Sequence, residues 1–220
     1  MGCDVTLVHQ GTPMHHHVGP LLAETLTNAG IEQGLKLVDD HVIGLEETAT
    51  GMMTQLASGR VLSSDIVVTA TGDVPNVHWL TDSGLLTEGR LEIDEYCRVG
   101  PNVVAAGDVA FMRTLDGVQR SPIWTNAIEQ AKTAAAALIS PEAVQPLDFP
   151  SYFWTDQWGM SLKISGPAPV TDEQPLVVKG ELAERSAVLH WPEYGAAAAL
   201  NIRMPIPRLH KLARETLVVS

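Results

Sequence analysis

Two turns that contain glycine carry the clearest chemical signal in this sequence. They are T-G-D-V-P-N at residues 71–76 and A-A-G-D-V-A at residues 105–110, and each follows an apolar run. A glycine at the carboxyl end of a parallel strand lets a ligand approach the backbone, and open α/β sheets bind ligands at such strand ends. A carboxylate beside the glycine accepts hydrogen bonds from ribose or ribityl hydroxyl groups. The candidate cofactor-binding residues in the two turns are Gly72, Pro75, Asn76, Gly107, Asp108 and Val109.

Both turns also have a purely structural interpretation. Pro-Asn pairs favour turns whatever the function of the protein, so the first turn is equally well explained by backbone geometry alone. An aspartate such as Asp108 also serves as an ordinary helix cap. Either turn alone is therefore weak evidence of a binding site.

The elements around the first turn predict half of a nucleotide-binding unit. Residues 5–8 form an apolar, β-branched run that predicts a buried parallel strand. Residues 18–29 have helical spacing, with Gly30 where a C-terminal cap is expected. Short runs between residues 35 and 62 predict an antiparallel meander, and residues 65–70 predict a second buried strand that leads into the turn.

The second turn lies between a predicted strand and the longest predicted helix. The strand covers residues 103–106, and the helix covers residues 123–139. Three prolines within residues 141–150 indicate a linker. A basic helix at residues 207–214 and five strand-like runs predict a final α+β domain. The runs are 152–156, 161–164, 176–179, 187–191 and 196–202.

A third motif, F-W-T-D-Q-W at residues 153–158, narrows the family. Together with the turns at 71–76 and 105–110, it resembles the FAD-dependent pyridine nucleotide-disulfide oxidoreductase superfamily. The two turns are similar to the G-x-x-P-N turn and the A-x-G-D motif of those flavoproteins. The third motif is similar to the F-W-S-D-Q segment of the NADH:ferredoxin reductases that serve oxygenases, the putidaredoxin reductase type. The resemblance covers essentially the whole chain.

The resemblance implies an α/β fold in which incomplete FAD- and NAD(P)-binding Rossmann-like domains precede an α+β carboxy-terminal reductase domain. It places a partial NAD(P)-binding domain at residues 1–72 and the returning segment of the FAD-binding domain at residues 73–146. The carboxy-terminal domain would then occupy residues 147–220. By this resemblance, electrons pass from NAD(P)H through FAD to a [2Fe-2S] ferredoxin of an oxygenase system.

The resemblance also implies roles for particular residues. Asp108 would bond the FAD ribityl chain, and the start of the long helix would stabilise the negative charge of reduced flavin. Phe153, Trp154 and Trp124 match positions close to the flavin, although core packing is the alternative for both tryptophans. No single catalytic residue is identified.

Several family features are absent. The sequence contains no G-x-G-x-x-G phosphate loop, and it starts where the second strand of the family's NAD domain starts. We therefore expect the predicted strands near residues 5 and 65 to lack a neighbour. His9 replaces the acidic residue that would bond the adenosine ribose, so the sequence selects neither NADH nor NADPH. Pro122 stands where the family has a glutamate near the nicotinamide.

Composition excludes several functional classes. A net charge of −12 disfavours nucleic acid as a partner. No run approaches the ~20 apolar residues of a membrane span and no signal peptide is evident, so a soluble, cytoplasmic protein is the default expectation. Cys3 and Cys97 do not indicate a disulfide framework or a zinc site. Three consecutive histidines at residues 15–17 are expected in an exposed loop rather than at a metal.

Two alternatives to an active reductase stay open. The absence of both phosphate loops suggests a non-catalytic remnant, or a module that self-associates or joins a separate amino-terminal half. A dithiol-type disulfide reductase is weaker, because the motif at residues 153–158 argues against it.

Overall fold

The computed structural model describes residues 2–114 and 117–215. These residues group into two compact units. The first unit contains the residues up to 72, residues 154–164 and the residues from 168 onward. The second contains residues 73–153 and 165–167. Because the units are defined by spatial contacts, the domain limits expected at residues 72 and 146 stay predictions.

The amino-terminal part of the first unit opens with a strand and two helices. In chain order its elements are β1 (Thr6–His9), α1 (His15–Val18), α2 (Pro20–Glu32) and β2 (Lys36–Asp39). β1 and β2 form a two-stranded parallel sheet. The predicted strand is therefore present and parallel, but it is exposed or half-buried along its length rather than buried. A two-stranded sheet leaves one edge of each strand without a ladder partner.

Helix α2 extends beyond its predicted end. Pro20 occupies its first turn, where a proline loses no hydrogen bond, and its buried face includes Leu22 and Leu26. Gly30 was predicted to cap this helix, but it lies inside the last turn and is buried. A glycine is needed at this position of the helix because a Cβ there would lie 2.8 Å from the Cε2 atom of Trp158.

An antiparallel meander follows. Its strands are β3 (Val42–Thr48), β4 (Gly51–Leu56) and β5 (Val61–Ser64), paired in chain order. The prediction of a meander is confirmed, except that its first run is β2, which pairs in parallel with β1. The histidines at residues 15–17 begin α1, so the prediction of a loop there was wrong.

The predicted strand at residues 65–70 does not form. These residues have no regular secondary structure, and Ile66 and Val68 are 77% and 85% exposed. No described residue pairs with their backbone. An apolar run becomes a buried strand only where neighbouring strands satisfy its N–H and C=O groups, so sequence propensity was insufficient here.

The carboxy-terminal sheet closely follows the predicted pattern. It contains β11 (Tyr152–Gln157), β12 (Met160–Ser165), β13 (Leu176–Glu181), β14 (Ser186–Trp191) and β15 (Ala196–Leu200), in the order β11-β12-β15-β14-β13. β14 and β15 pair antiparallel, and every residue of β15 is buried. Helix α4 (Ile206–Ala213) completes this region, burying Leu209 and Ala213.

The second unit contains short strands and the longest helix. Its strands are β6 (Leu91–Ile93), β7 (Arg98–Gly100), β8 (Val103–Val104), β9 (Ala110–Thr114) and β10 (Gly117–Gln119). The helix, α3 (Trp124–Ile139), matches the predicted range within one residue. β8 ends before Ala105, so the predicted strand at 103–106 is only half formed. The core of the second unit includes Ile93, Cys97, Ala110 and Ala134.

Candidate functional site

Side-chain hydrogen bonds hold the start of α3 in the second unit. Ile123 precedes the helix with extended backbone, no side chain caps it, and its first turn has no acidic residue. The Asn126 side-chain amide donates to the Ser121 hydroxyl at 2.8 Å, and the Thr125 hydroxyl donates to the Tyr152 carbonyl at 2.8 Å. These bonds fix the chain on both sides of the helix start, which carries the positive end of the helix dipole.

The Gly107 turn lies against the first two turns of α3. The Gly107 amide donates to the Oε1 atom of buried Gln130 at 2.8 Å. A Cβ at Gly107 would lie 3.6 Å from the Cβ of Ala127, which is an ordinary contact. The glycine is required instead by its φ of +84°, a backbone conformation that other residues rarely adopt. The A-x-G-D turn is thus held beside the helix start.

Asp108 projects from this turn at the surface. The residue is exposed, and no described side chain or amide donates to its carboxylate. It caps no helix, because the cap position of α3 is Ile123. The alternative interpretation of Asp108 as an ordinary capping residue is therefore not supported, and its carboxylate is available to accept from a ligand hydroxyl.

Arg120 joins the two glycine turns. Its Nη1 atom donates to the Asp73 carboxylate at 2.5 Å and to the Asp108 carbonyl at 2.9 Å, and its Nη2 atom donates to the Asp73 carbonyl at 3.3 Å. The side chain is only 16% exposed and lies over the Phe111 ring, 5.9 Å from the centroid. The hydrogen bond from Arg120 lowers the pKa of Asp73 below its ordinary value.

Sequence reasoning did not identify Arg120. Its only sequence signal is an arginine four residues before a long helix, which is common in proteins of any function. A planar guanidinium with five donors suits this task, because it bonds a carboxylate and two carbonyls at once. The contact is visible only once the two turns have come together.

The first turn keeps the geometry that its sequence predicts. Gly72 has a φ of +94°, and the Pro75 carbonyl accepts from the Val77 amide at 3.0 Å. The Asn76 carbonyl accepts from the Trp79 indole at 3.1 Å. Asn76 is exposed and Pro75 is half-buried, so the end of the turn is accessible.

The aromatic candidates are not core residues. Trp124 is 67% exposed and Trp154 is 42% exposed, whereas Phe153 is half-buried. Core packing therefore does not explain the tryptophans. Phe153 follows Tyr152, whose carbonyl bonds Thr125, so the chain brings it to the start of α3. Trp154, the next residue, falls in the first unit.

These residues suit the ribityl and isoalloxazine parts of a flavin. The second unit combines an acceptor carboxylate on Asp108, a glycine turn, Val109 beside it and an uncapped helix start. A flavin requires an acceptor for its hydroxyls and a positive potential for the charge that forms on reduction. The roles of the individual residues stay predictions.

Other chemistry finds little support. Burial raises the pKa of Cys97 to about 11, so this thiol is a structural residue. Within residues 2–114 and 117–215, no group of histidine, cysteine or acidic side chains could hold a metal ion. No helix in the same ranges is long and apolar enough to cross a membrane.

The chain is similar to a known protein family and to a reductase component of a dioxygenase system. Residues 1–137 match the family described as pyridine nucleotide-disulphide oxidoreductase. Over its full length the chain is 31% identical to the 3-phenylpropionate/cinnamic acid dioxygenase ferredoxin–NAD(+) reductase component of Photorhabdus laumondii. The match covers 57% of that relative, so the chain spans little more than half of its length.

Solved structures share the fold. The ferredoxin reductase for the CYP199A2 system of Rhodopseudomonas palustris is 25% identical, with a TM-score of 0.79 over 91% of this chain and 51% of that chain. The reductase in the covalent putidaredoxin reductase–putidaredoxin complex is 22% identical and shares the fold, with a TM-score of 0.78 over 95% of this chain and 51% of that chain.

These matches confirm the predicted α/β fold class and the oxidoreductase class. FAD and NAD(P)H, the predicted cofactors, are those of the matched family. The chain belongs to the pyridine nucleotide-disulphide oxidoreductase family.

Proposed function

We propose that this chain forms part of an FAD-dependent NAD(P)H oxidoreductase of the ferredoxin reductase type. In that enzyme, electrons pass from NAD(P)H through FAD to a [2Fe-2S] ferredoxin that serves an oxygenase. The 31% identity to a dioxygenase ferredoxin–NAD(+) reductase component supports this assignment. A cytoplasmic location belongs to the same proposal.

The observation that carries the proposal is the Arg120 contact. A single guanidinium holds Asp73 of the first turn and the Asp108 carbonyl of the second, beside the start of α3. Two segments that are separated by about thirty residues of sequence are thereby held together, and the exposed Asp108 carboxylate beside them is accessible to a ligand hydroxyl.

FAD, when bound, supplies the hydride and single-electron chemistry, and the protein supplies orientation and electrostatics. Asp108 accepts from ribityl hydroxyls, and the start of α3 stabilises negative charge on the ring. Trp124 and Phe153 of the second unit exclude water from the ring, and Trp154, which belongs to the first unit, stays a predicted contact. At the remaining predicted contact residues the cofactor approaches the backbone. These residues are Gly72, Pro75, Asn76, Gly107 and Val109.

The test is co-expression with the part of the Photorhabdus laumondii reductase component that the match leaves uncovered. We expect the purified assembly to show a bound-flavin absorption spectrum that bleaches with NAD(P)H and to reduce an added [2Fe-2S] ferredoxin. An assembly that forms without flavin, or that holds flavin and reduces no acceptor, would refute the proposal.

A matched pair of variants tests the site itself. Asp108→Asn should weaken FAD binding by roughly ten- to a hundred-fold, because hydrogen bonds to a charged group contribute about 1.5–3 kcal/mol. Asp82→Asn is the control, since Asp82 is also an exposed aspartate of the second unit. Equal FAD affinities for the two variants would contradict the assigned role of Asp108.

A second candidate function is a non-catalytic module that associates through unpaired backbone. The exposed run at residues 65–70, with Ile66 and Val68 at the surface, favours it. Light scattering distinguishes the candidates together with the absorption spectrum. A colourless oligomer whose state does not change with added FAD supports the module, and a chain that gains flavin with the uncovered part of the relative supports the reductase.

A further inference from the structure

The turn that carries Asp108 is held by three hydrogen bonds to its backbone. The Gly107 carbonyl accepts from the Ala110 amide at 2.9 Å, which closes a four-residue turn with Asp108 as its second residue. The Gly107 amide donates to the Oε1 atom of Gln130 at 2.8 Å. The Asp108 carbonyl accepts from Arg120 at 2.9 Å. The backbone is therefore fixed on both sides of the Asp108 Cα atom, and so is the direction in which the Asp108 side chain leaves it.

Gln130 reaches this turn from the buried face of α3. The residue is 5% exposed and shares that face with Ala134 and Ala137. Ala134 belongs to the same core as Ala110, the last residue of the turn. A leucine would fill this position without burying an amide, and a buried amide costs free energy unless its polar atoms are bonded. Packing of the helix therefore does not account for the glutamine, whereas its bond to Gly107 does.

Both side chains that hold the turn come from the chain around the start of α3. Arg120 lies four residues before Trp124, the first residue of the helix, and Gln130 is the seventh. In the proposed function, this helix start stabilises negative charge on the flavin ring. The same segment would then fix the carboxylate that meets the ribityl chain.

We infer that Gln130 is a positioning residue for the flavin. Through the Gly107 amide, it holds the Asp108 carboxylate at the place where a ribityl hydroxyl donates to it. The inference rests on the proposed function and adds a residue to that site. Because Gln130 is buried, it acts through Asp108 rather than on the cofactor. Loss of its acceptor oxygen leaves the Asp108 charge intact but releases the peptide group that precedes it.

The first experiment measures the turn in the full chain without flavin. Hydrogen exchange followed by NMR gives the exchange rate of the Gly107 amide. Gln130→Leu removes the acceptor oxygen at similar side-chain volume and should raise that rate by on the order of ten-fold. Gln130→Glu keeps an acceptor oxygen in either protonation state and should keep the slow rate.

Two comparisons show whether the effect is confined to the turn. Gln145→Leu makes the same change at an exposed glutamine of the second unit, whose side-chain amide donates to the Ala143 carbonyl at 3.4 Å. It should leave the exchange rate of Gly107 unchanged. In Gln130→Leu, the Ala134 amide should keep its rate, because the backbone hydrogen bonds of α3 remain. Equal rises at Gly107 and Ala134 would overturn the inference, since they would show a loss of the helix and not of the turn.

The second experiment separates positioning from structural support by a double-mutant cycle on FAD affinity. The assembly that tests the proposed function is freed of flavin, titrated with FAD and followed by flavin absorbance. Gln130→Leu should weaken FAD binding by on the order of ten-fold when Asp108 is present, and by less than about two-fold in an Asp108→Asn background. A residue that only supports the fold would cost the same affinity in both backgrounds.

Two further results would overturn the inference. They are an unchanged exchange rate of Gly107 in Gln130→Leu, and equal losses of FAD affinity in the two backgrounds. Both leave the flavin proposal standing, because that proposal is judged by bound-flavin absorbance and ferredoxin reduction. Conversely, an assembly without flavin would refute the proposed function, while the exchange rate in the chain alone would still decide whether Gln130 holds the turn.

Discussion

Two apolar runs of the first unit have opposite fates. β15 (Ala196–Leu200) is buried at every residue and lies between β12 and β14 in its sheet. Residues 65–70 contain Ile66, Val67 and Val68, yet they form no strand and leave Ile66 77% exposed. Strand propensity alone would favour residues 65–70 over the alanines of β15. The difference is the presence of backbone partners on both sides of β15.

The comparison shows that complete burial of a strand requires backbone partners on both sides. A strand loses water from its N–H and C=O groups when its side chains are buried, and each unpaired buried group costs about 1–3 kcal/mol. β15 recovers those bonds from its neighbours, and residues 65–70 have no described neighbour to supply them. The parallel pair β1 and β2 is intermediate, with one ladder and half-buried strands.

The largest effect is expected from shortening a buried side chain of the carboxy-terminal sheet. Leu189→Ala, at a fully buried position of β14, should lower the free energy of unfolding by about 2–5 kcal/mol. Ile66→Ala should change it by less than about 0.5 kcal/mol, because that side chain is exposed. Urea denaturation followed by tryptophan fluorescence measures both. Similar losses for the two variants would show that residues 65–70 are buried in solution.

The next largest effect tests how helix α2 depends on Trp158, which follows β11 of the carboxy-terminal sheet. The Gln33 side-chain amide donates to the Trp158 carbonyl at 2.8 Å, and Gly30 lies under the Trp158 indole. Gly30→Ala should gain about 1 kcal/mol from helix propensity but lose about 1–3 kcal/mol to overpacking, a net destabilisation.

The control for Gly30→Ala removes the indole. In a Trp158→Ala background, the added methyl group meets no ring and contacts only the flexible Leu35 side chain, whose Cδ2 atom is 3.1 Å away, so the penalty of Gly30→Ala should shrink. A double-mutant cycle by urea denaturation gives the coupling energy. The same penalty in both backgrounds would place its cause in the helix backbone rather than in the indole contact.

A smaller, pH-dependent effect on stability is expected from a buried histidine of the carboxy-terminal sheet. Burial lowers the pKa of His190, a β14 residue that is 5% exposed, although Glu215 acts in the opposite direction. The unfolded chain then binds a proton more readily than the folded one. Stability is therefore complete above about pH 6.5 and falls as the pH drops toward the lowered pKa of the folded state.

Melting temperatures between pH 8 and pH 5 measure this loss. His190→Phe should flatten the profile, while His210, whose pKa is also lowered by burial, should leave a residual slope. A profile for His190→Phe that superimposes on that of the parent chain would assign the slope to other groups.

The smallest effect concerns the exposed turn that follows residues 65–70. The hydrogen bond from Arg120 lowers the pKa of Asp73, so the folded state binds protons less readily than the unfolded chain. The contribution is present above about pH 4 and disappears as the pH falls through the lowered pKa. Asp73→Asn should reduce acid sensitivity below pH 4, as followed by circular dichroism. An acid-unfolding profile of Asp73→Asn that equals the parent profile would mean that solvent screens the ion pair between Arg120 and Asp73.

Sequence analysis succeeded where local pattern and final environment agree. The predicted strands of the carboxy-terminal sheet lie within two residues of β11–β15, and α3 begins one residue after its predicted start. Alternation, alanine content and terminal prolines are local properties, and nothing in the fold opposes them. The glycine turns were found for the same reason, since a positive φ at Gly72 and Gly107 depends on residue type.

The errors share a different cause. Gly30 suits a helix end by residue type, but it lies inside α2, where the Trp158 indole leaves no room for a side chain. Arg120 was missed because its partners, Asp73 and Asp108, are distant in sequence. In each case the decisive partner belongs to another element.

The sequence by itself determined the family, the order of most elements and the two turns that a cofactor would approach. These depend on residue types and spacings that are readable along one chain. Tertiary structure decided which apolar run became a strand, which arginine joined the turns and which buried glutamine bonds the Gly107 amide. Pairing and burial are relations between distant segments, and their free energies exist only once those segments meet.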